Sequence, residues 1–220
     1  MNKLRFEISV SLDGFVAGPN QTLEEPLGRG GEGLHHWVVR LRSWRESHGL
    51  EGGAVNEDDK LLRESTTNVG ATIMGRNMFG GQPGPWGSAN PWRGWWGDSP
   101  PFRHPVFVLT HHSRRPLEFD NGTTFTFVTE GIESALEEAR QAAGTLDIAI
   151  AGGADIAGQY LAAGLIDEMQ LHVVPILLGG GARLFDEVGA DMHGLKLVRT
   201  LAGEGVVHLK LAREPAPTEP

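Results

Sequence analysis

The sequence predicts an α/β fold: a mixed, mostly parallel central sheet flanked by helices in three layers, closed by a C-terminal antiparallel hairpin. Three observations predict it. Short apolar runs at 71–74, 106–109 and 148–151 alternate with segments of helical periodicity through the middle of the chain, the pattern of strands joined by crossover helices. The runs at 106–109 and 148–151 lack apolar/polar alternation and so read as strands covered on both faces. Near the end, residues 195–200 and 206–211 flank the turn sequence Gly203-Glu-Gly205 and read as a hairpin.

Composition bounds the answer. With 220 residues, 40% hydrophobic and 21% charged, the chain reads as one domain over 1–213, large enough to bury a core without staples. No run approaches the roughly 18 apolar residues that span a bilayer, and the amino terminus lacks a secretory apolar core. Cysteine is absent, which excludes disulfides, thiolate catalysis and thiolate-held metal. Together these set the expectation of a cytoplasmic protein. A net charge of −9 is the wrong sign for a general nucleic-acid binder.

The elements follow in order. Residues 4–10 alternate and read as a half-buried strand, broken at Ser11-Leu-Asp-Gly14. An insertion spans 18–55, beginning as a glycine-rich loop; within it Leu34, Trp37, Val38, Leu41 and Trp44 fall at helical spacing. Asn56, with Asp59 three residues on, reads as the N-cap of a helix ending before Gly70. A Gly/Pro/Trp loop over 80–105 holds four of the six tryptophans, Trp86, Trp92, Trp95 and Trp96. Residues 123–128 read as a strand. Ile132, Ala135, Leu136 and Ala139 mark a helix ending at Gly144, and a further helix runs from Asp155 to about Ala163. Met169, Leu171 and Val173 alternate along a strand, and 214–220, rich in proline, reads as a disordered tail.

Ligands of such sheets gather beyond the carboxyl ends of parallel strands. Gly75-Arg76, Thr110-His111 and Gly152-Gly153 all fall there. A strand ending in glycine and feeding a helix exposes backbone N–H groups that suit a phosphate, and Arg76 offers a planar charged fork for a second one. Two separated phosphates describe a phosphorylated dinucleotide such as NADPH, and hence a nicotinamide-dependent reductase. The formal G-x-G-x-x-G at Gly28, Gly30 and Gly33 is set aside because no strand feeds it. Gly179-Gly180-Gly181 has the makings of an anion nest but is no P-loop. The nine histidines show no metal-ligand spacing; His172 is equally a satisfied strand residue. The tryptophan loop suits either a flap over a planar heterocycle or a cover for an apolar patch.

Five segments in order carry a resemblance: Ser11-Leu-Asp-Gly-Phe-Val-Ala17, Thr72-Ile-Met-Gly-Arg-Asn-Met-Phe79, Pro105-Val-Phe-Val-Leu-Thr110, Ala149-Ile-Ala-Gly-Gly-Ala154, and Leu165-Ile-Asp-Glu-Met-Gln-Leu-His-Val-Val-Pro175 with Leu178-Gly-Gly-Gly-Ala182. Over residues 4–211 the chain resembles the dihydrofolate reductase-like superfamily, in the branch of the riboflavin-biosynthesis reductase (RibD C-terminal) domain. The resemblance implies an NADPH-dependent oxidoreductase acting on a C=N or C=O group of a small pterin- or ribityl-pyrimidine-like substrate, as in dihydrofolate reductase or 5-amino-6-(5-phosphoribosylamino)uracil reductase. It implies that Arg76, Thr110 and His111 hold the 2′-phosphate end, and that Gly152 and Gly153 (often cis-linked in the family) with Ala154, Asp155 and Ile156 cradle the pyrophosphate. Ala17 and the Asp13-Gly14 turn would lie along the nicotinamide, with Gly75 at the strand end. Asp13 and Asp59 are the candidate proton donors, and a homodimer is expected by analogy. The competing class is a non-catalytic nucleotide- or ligand-binding protein on the same fold.

Overall fold

The computed structural model describes residues 2–81, 84–87, 92–186 and 188–213; the expected tail over 214–220 and parts of the tryptophan loop lie outside them. Within these, nine strands form one sheet: β1 (Leu4–Ser11), β3 (Val69–Gly75), β4 (Pro105–Leu109), β5 (Leu117–Glu118), β6 (Thr124–Val128), β7 (Asp147–Ala151), β8 (Glu168–Val174), β10 (Leu195–Gly203) and β11 (Val206–Arg213). Their order is β10-β11-β8-β1-β7-β3-β4-β6-β5. The six strands from β8 to β6 in that order run parallel, while β5, β11 and β10 are antiparallel to their neighbours. A separate two-stranded sheet pairs β2 (Phe15–Ala17) with β9 (Ala182–Arg183). Gly181 is required there, because a Cβ on it would fall 2.0 Å from the Ala17 carbonyl.

The alternation of β1 sends Phe6 and Val10 to one face, where Ile73, Ile148, Ile150 and Met169 join them. That face is covered by α4 (Ile132–Ala143) and α5 (Ala154–Ala162) through Ala135, Leu136, Ala139, Ile156, Ala157 and Tyr160. By the two-residue period of a strand, Glu7, Ser9, Thr72, Ala149, Ala151, Gln170 and His172 belong to the opposite face. Two segments, one from 18–55 and one from the tryptophan loop, cover that face only at its flanks. Over β8 and β11, Leu34, Trp37, Val38 and Leu41 pack with Leu62 of α2 (Glu57–Thr66), Val174 and Val206. Over β3, β4 and β6, Trp86, Trp92 and Trp96 pack on Met74, Val106, Val108, Phe79, Phe125 and Phe127. A crevice of about 1600 Å³ runs between the two covers.

The Asn56 cap forms as expected, its side chain accepting from the Asp59 N–H. The strand at 106–109 is covered on both faces, Phe107 toward the helices and Val106 and Val108 toward the tryptophans. Two expectations need correction. Residues 34–44 do not form one helix: a 3-10 turn (Gly31–His35) and α1 (Arg42–Ser47) are separated where Leu41 turns extended and bridges Ala54. The apolar spacing there reports burial in a cluster, not a helical face. The strand at 148–151 is covered on one face only; its isoleucines enter the core while Ala149 and Ala151 line the crevice. Short side chains made it look uniformly apolar while leaving room above it.

Candidate functional site

The rim residues converge. Met74 of β3 pairs in register with Ala151 of β7, so Gly75 and Gly152 leave adjacent strands side by side. A Cβ on Gly75 would lie 3.7 Å from Ile156, which places the Arg76 turn against the first turn of α5. Gly152 takes φ +138°, and its peptide to Gly153 is not cis, there being no cis bond among the described residues. A Cβ on Gly153 would meet nothing within 4 Å, so the amino end of α5 opens into the crevice with its N–H groups free of side-chain caps. Asp155 does not spoil this end: it is exposed and accepts from Gln159 one turn along the helix. Ala17, Thr110 and His111 line the same crevice.

Arg76 opens the short helix α3 (Arg76–Phe79), and its guanidinium lies 3.1 Å over the ring of Trp86. Burial, with the like charge of Arg114, lowers its pKa. Arg114, 4.8 Å over the same ring, was missed in the sequence; it sits in an irregular segment with no motif around it. Two guanidiniums stacked about one indole make a local positive site in an acidic protein. The Trp86 indole itself donates to the His112 carbonyl, and Thr110 Oγ1 accepts from the His112 N–H, fixing the turn after β4. The tryptophans therefore mainly cover an apolar patch, Trp86 edge-on to Phe79 and Phe127, though Trp95 and Trp96 also reach the crevice.

The two candidate proton donors are engaged elsewhere. Asp13 accepts from Ser11 Oγ and from the backbone N–H groups of Leu178 and Gly179. The Ser11 hydrogen bond is the largest cause, and with the backbone amides of Gly179 and Leu178 it outweighs the opposing effect of burial and brings the pKa down to about 2. Leu178 and the first residue of the 179–181 glycine run thus form a nest filled by the chain's own carboxylate. Asp59 accepts from Ser43 and Arg63; burial pushes its pKa up, but those partners outweigh it and the net shift is downward. Neither carboxylate is among the residues lining the crevice.

Instead, the crevice floor carries Glu7, Ser9, His172 and Gln170. His172 Nε2 lies 3.5 Å from Glu7 Oε2, and His172 Nδ1 lies 2.7 Å from His208 Nδ1. Burial pushes the Glu7 carboxyl up, but the hydrogen bond and charge of His172, with Ser65 and Arg5, bring it below its usual value. Trp37 donates to Ser9 Oγ and packs on both imidazoles at 4.6 and 4.9 Å. The sequence signal for this group was faint: polar residues at alternate positions of strands otherwise read as core.

The family model for the RibD C-terminal domain matches residues 2–209. The chain belongs to the RibD C-terminal domain family. Its relatives include the uncharacterised protein YyaP of Bacillus subtilis, 23% identical over 94% of this chain and 93% of that protein. A riboflavin-biosynthesis-type protein from Shewanella superposes over 97% of this chain and 99% of that one, with TM-score 0.60 and 21% identity. Dihydrofolate reductase from Enterococcus faecalis, solved with NADP(H), gives TM-score 0.51 at 13% identity, covering 97% of each chain. These likenesses establish a dihydrofolate reductase-like fold for this RibD-family chain.

Proposed function

We propose that this RibD-family chain is an NADPH-dependent reductase that transfers hydride to a C=N or C=O group of a small heterocyclic substrate, pterin- or ribityl-pyrimidine-like. One observation carries the reading: Arg76 and the open amino end of α5 follow strands paired in register, so a single diphosphate-bearing molecule reaches both. The residues fit that group. The space above Gly153 is one a Cβ would fill, and Arg76 and Arg114 both bring positive charge to the Trp86 ring beside it. Arg76 with Thr110 and His111 would hold the 2′-phosphate end; Gly152, Gly153 and the amides of Ala154, Asp155 and Ile156 would hold the pyrophosphate; Ala17 and Gly75 would flank the cofactor. Bound NADPH supplies the hydride.

A helix terminus contributes about 0.3–1 kcal/mol and a charge-assisted hydrogen bond about 1.5–3 kcal/mol. Micromolar affinity needs about 8 kcal/mol, so several of these contacts must act together. The crevice exceeds the roughly 300–1,000 Å³ of a single-ligand pocket, which supports cofactor and substrate binding side by side. A homodimer is proposed by family analogy alone. Titrating NADPH while following tryptophan fluorescence tests the reading, because Trp86 lies directly beneath Arg76. Saturable quenching is expected; none at millimolar NADPH would favour a binding protein for another ligand.

A further inference from the structure

The crevice floor holds a carboxylate whose hydrogen bonding the protein leaves incomplete. His172 is drawn toward His208, 2.7 Å away, while Glu7 Oε2 stands 3.5 Å off, beyond ordinary hydrogen-bond length. His208 is held in turn by Asp58 Oδ1 at 3.2 Å, so the imidazole pair is anchored away from Glu7. Glu7 Oε2 is accordingly buried with no hydrogen bond of ordinary length. The Glu7 side chain is nevertheless 32% exposed and lines the crevice. Its carboxyl, lowered against the pull of burial, is ionised at neutral pH.

Its neighbours supply no counter-charge. Arg5 faces Asp147 Oδ2 at 3.5 Å and donates to the Thr67 carbonyl. Lys210 is paired with Glu168 at 2.8 Å. Among the described residues no lysine or arginine stands within ion-pair distance of Glu7. His35, also lining the crevice, has its pKa lowered by burial. Beside Glu7, its register partner Gln170 lines the crevice too, with Nε2 buried and unbonded. The terminal torsions of Glu and Gln are broad, so each side chain can turn a polar atom to the crevice without moving its strand. On the other side of Glu7, one register step beyond the Phe6–Ile150 pair, stands Ala151, the residue before Gly152. A ligand over Glu7 therefore lies next to the proposed cofactor rim.

We propose that Glu7 and Gln170 select a heterocycle that carries a ring N–H beside a C=O, the N–H donating to the Glu7 carboxylate and the C=O accepting from the Gln170 amide. One acceptor and one donor on register partners match one lactam edge. Paired strands lie about 4.8 Å apart, so the two side-chain ends reach neighbouring atoms of a single ring. Glu7 acts here as a specificity residue, and no proton leaves or reaches it. The crevice is then divided electrically: Arg76 and Arg114 make its rim positive, while Glu7 makes its floor negative. Phosphate is drawn to the rim and kept from the floor, which seats the cofactor and the ring side by side. Naming the ring a substrate rests on the reductase reading; the ring site itself does not.

The test uses the full chain and two probes, uracil and 1,3-dimethyluracil, the second lacking both ring N–H groups. Ligand-observed NMR titration gives a dissociation constant for each. Wild type should bind uracil at least about tenfold more tightly, the worth of one charge-assisted hydrogen bond. Glu7→Ala should erase that preference, because only the N–H contact depends on the carboxylate. Glu7→Gln keeps the shape and an uncharged accepting oxygen, and should retain a fraction of it. Gln170→Ala should weaken both probes alike, since both keep the carbonyl. A merely structural Glu7 would move both probes together. An unchanged preference in Glu7→Ala and Glu7→Gln, or no saturable uracil binding by wild type, would therefore overturn the proposal. NADPH titration of the same samples reads the cofactor site separately. Uracil preference without NADPH binding supports the ring site and removes the reductase reading; NADPH binding without uracil preference overturns the ring site alone.

Discussion

Replacing Arg76 by glutamine isolates the charge at the proposed 2′-phosphate end. The amide keeps a planar group over Trp86, so the packing of the loop on Phe79 and Phe127 is largely kept. What goes is a charge-assisted hydrogen bond, about 1.5–3 kcal/mol, or about 10–150-fold in Kd. Removing Arg76 also relieves the like charge on Arg114, whose guanidinium flanks the same indole. Arg114 then recovers part of the loss, and the lower end of that range is the expectation. NADH lacks the 2′-phosphate and should change by less than about threefold, within the weak effect of a lost cation–π contact. Isothermal titration with both cofactors measures the difference, and repeating it in higher salt should shrink the NADPH preference as screening grows. Equal losses for the two cofactors would refute the assignment of Arg76 to the 2′-phosphate.

Other outcomes follow from the same geometry. Gly152→Ala places a Cβ 3.3 Å from Ile156 and Met78 at φ +138°, a strain of about 1–3 kcal/mol; Tm should fall by roughly 2–12 °C in scanning calorimetry, with NADPH affinity reduced as well. Asn56→Ala removes the N-cap bond to Asp59, costing about 1 kcal/mol and about 2–4 °C in Tm with unchanged cofactor affinity. Asp13 has its folded pKa depressed to about 2 from 3.8, so its stabilisation is full above the unfolded value and is lost as pH falls through the folded one. Acid melts of Asp13→Asn should therefore lose the part of the wild-type decline between about pH 4 and pH 2 that this carboxylate causes.

What could be read from the sequence was local. Glycine at 75, 152 and 153 and the cap at Asn56 are constraints imposed by the backbone on its own neighbours, so they survive without knowledge of the fold. The parallel core followed because crossover helices and buried strands leave periodic marks. Residues 34–44 misled because burial in a cluster can mimic helical spacing when the chain bends at Leu41. The floor of the crevice was invisible for a different reason. Glu7, Asp58, His172 and His208 lie far apart in the chain, and the register of β1, β8 and β11 brings them together. His172 looked like an ordinary polar residue in an alternating strand, which it also is.

The two covering segments have one physical role between them. A parallel sheet of this kind ordinarily needs both faces covered, yet β7 offers only Ala149 and Ala151 to one of them. The segment 18–55 and the tryptophan loop cover that face from opposite sides without meeting over β7 and β1, so the unburied strip becomes the crevice. Trp37 from the first segment shields the imidazoles from water, while Trp86 from the second backs Arg76. A buried imidazole pair and a charged rim have opposite solvent requirements, and covering each with its own segment lets one sheet carry both.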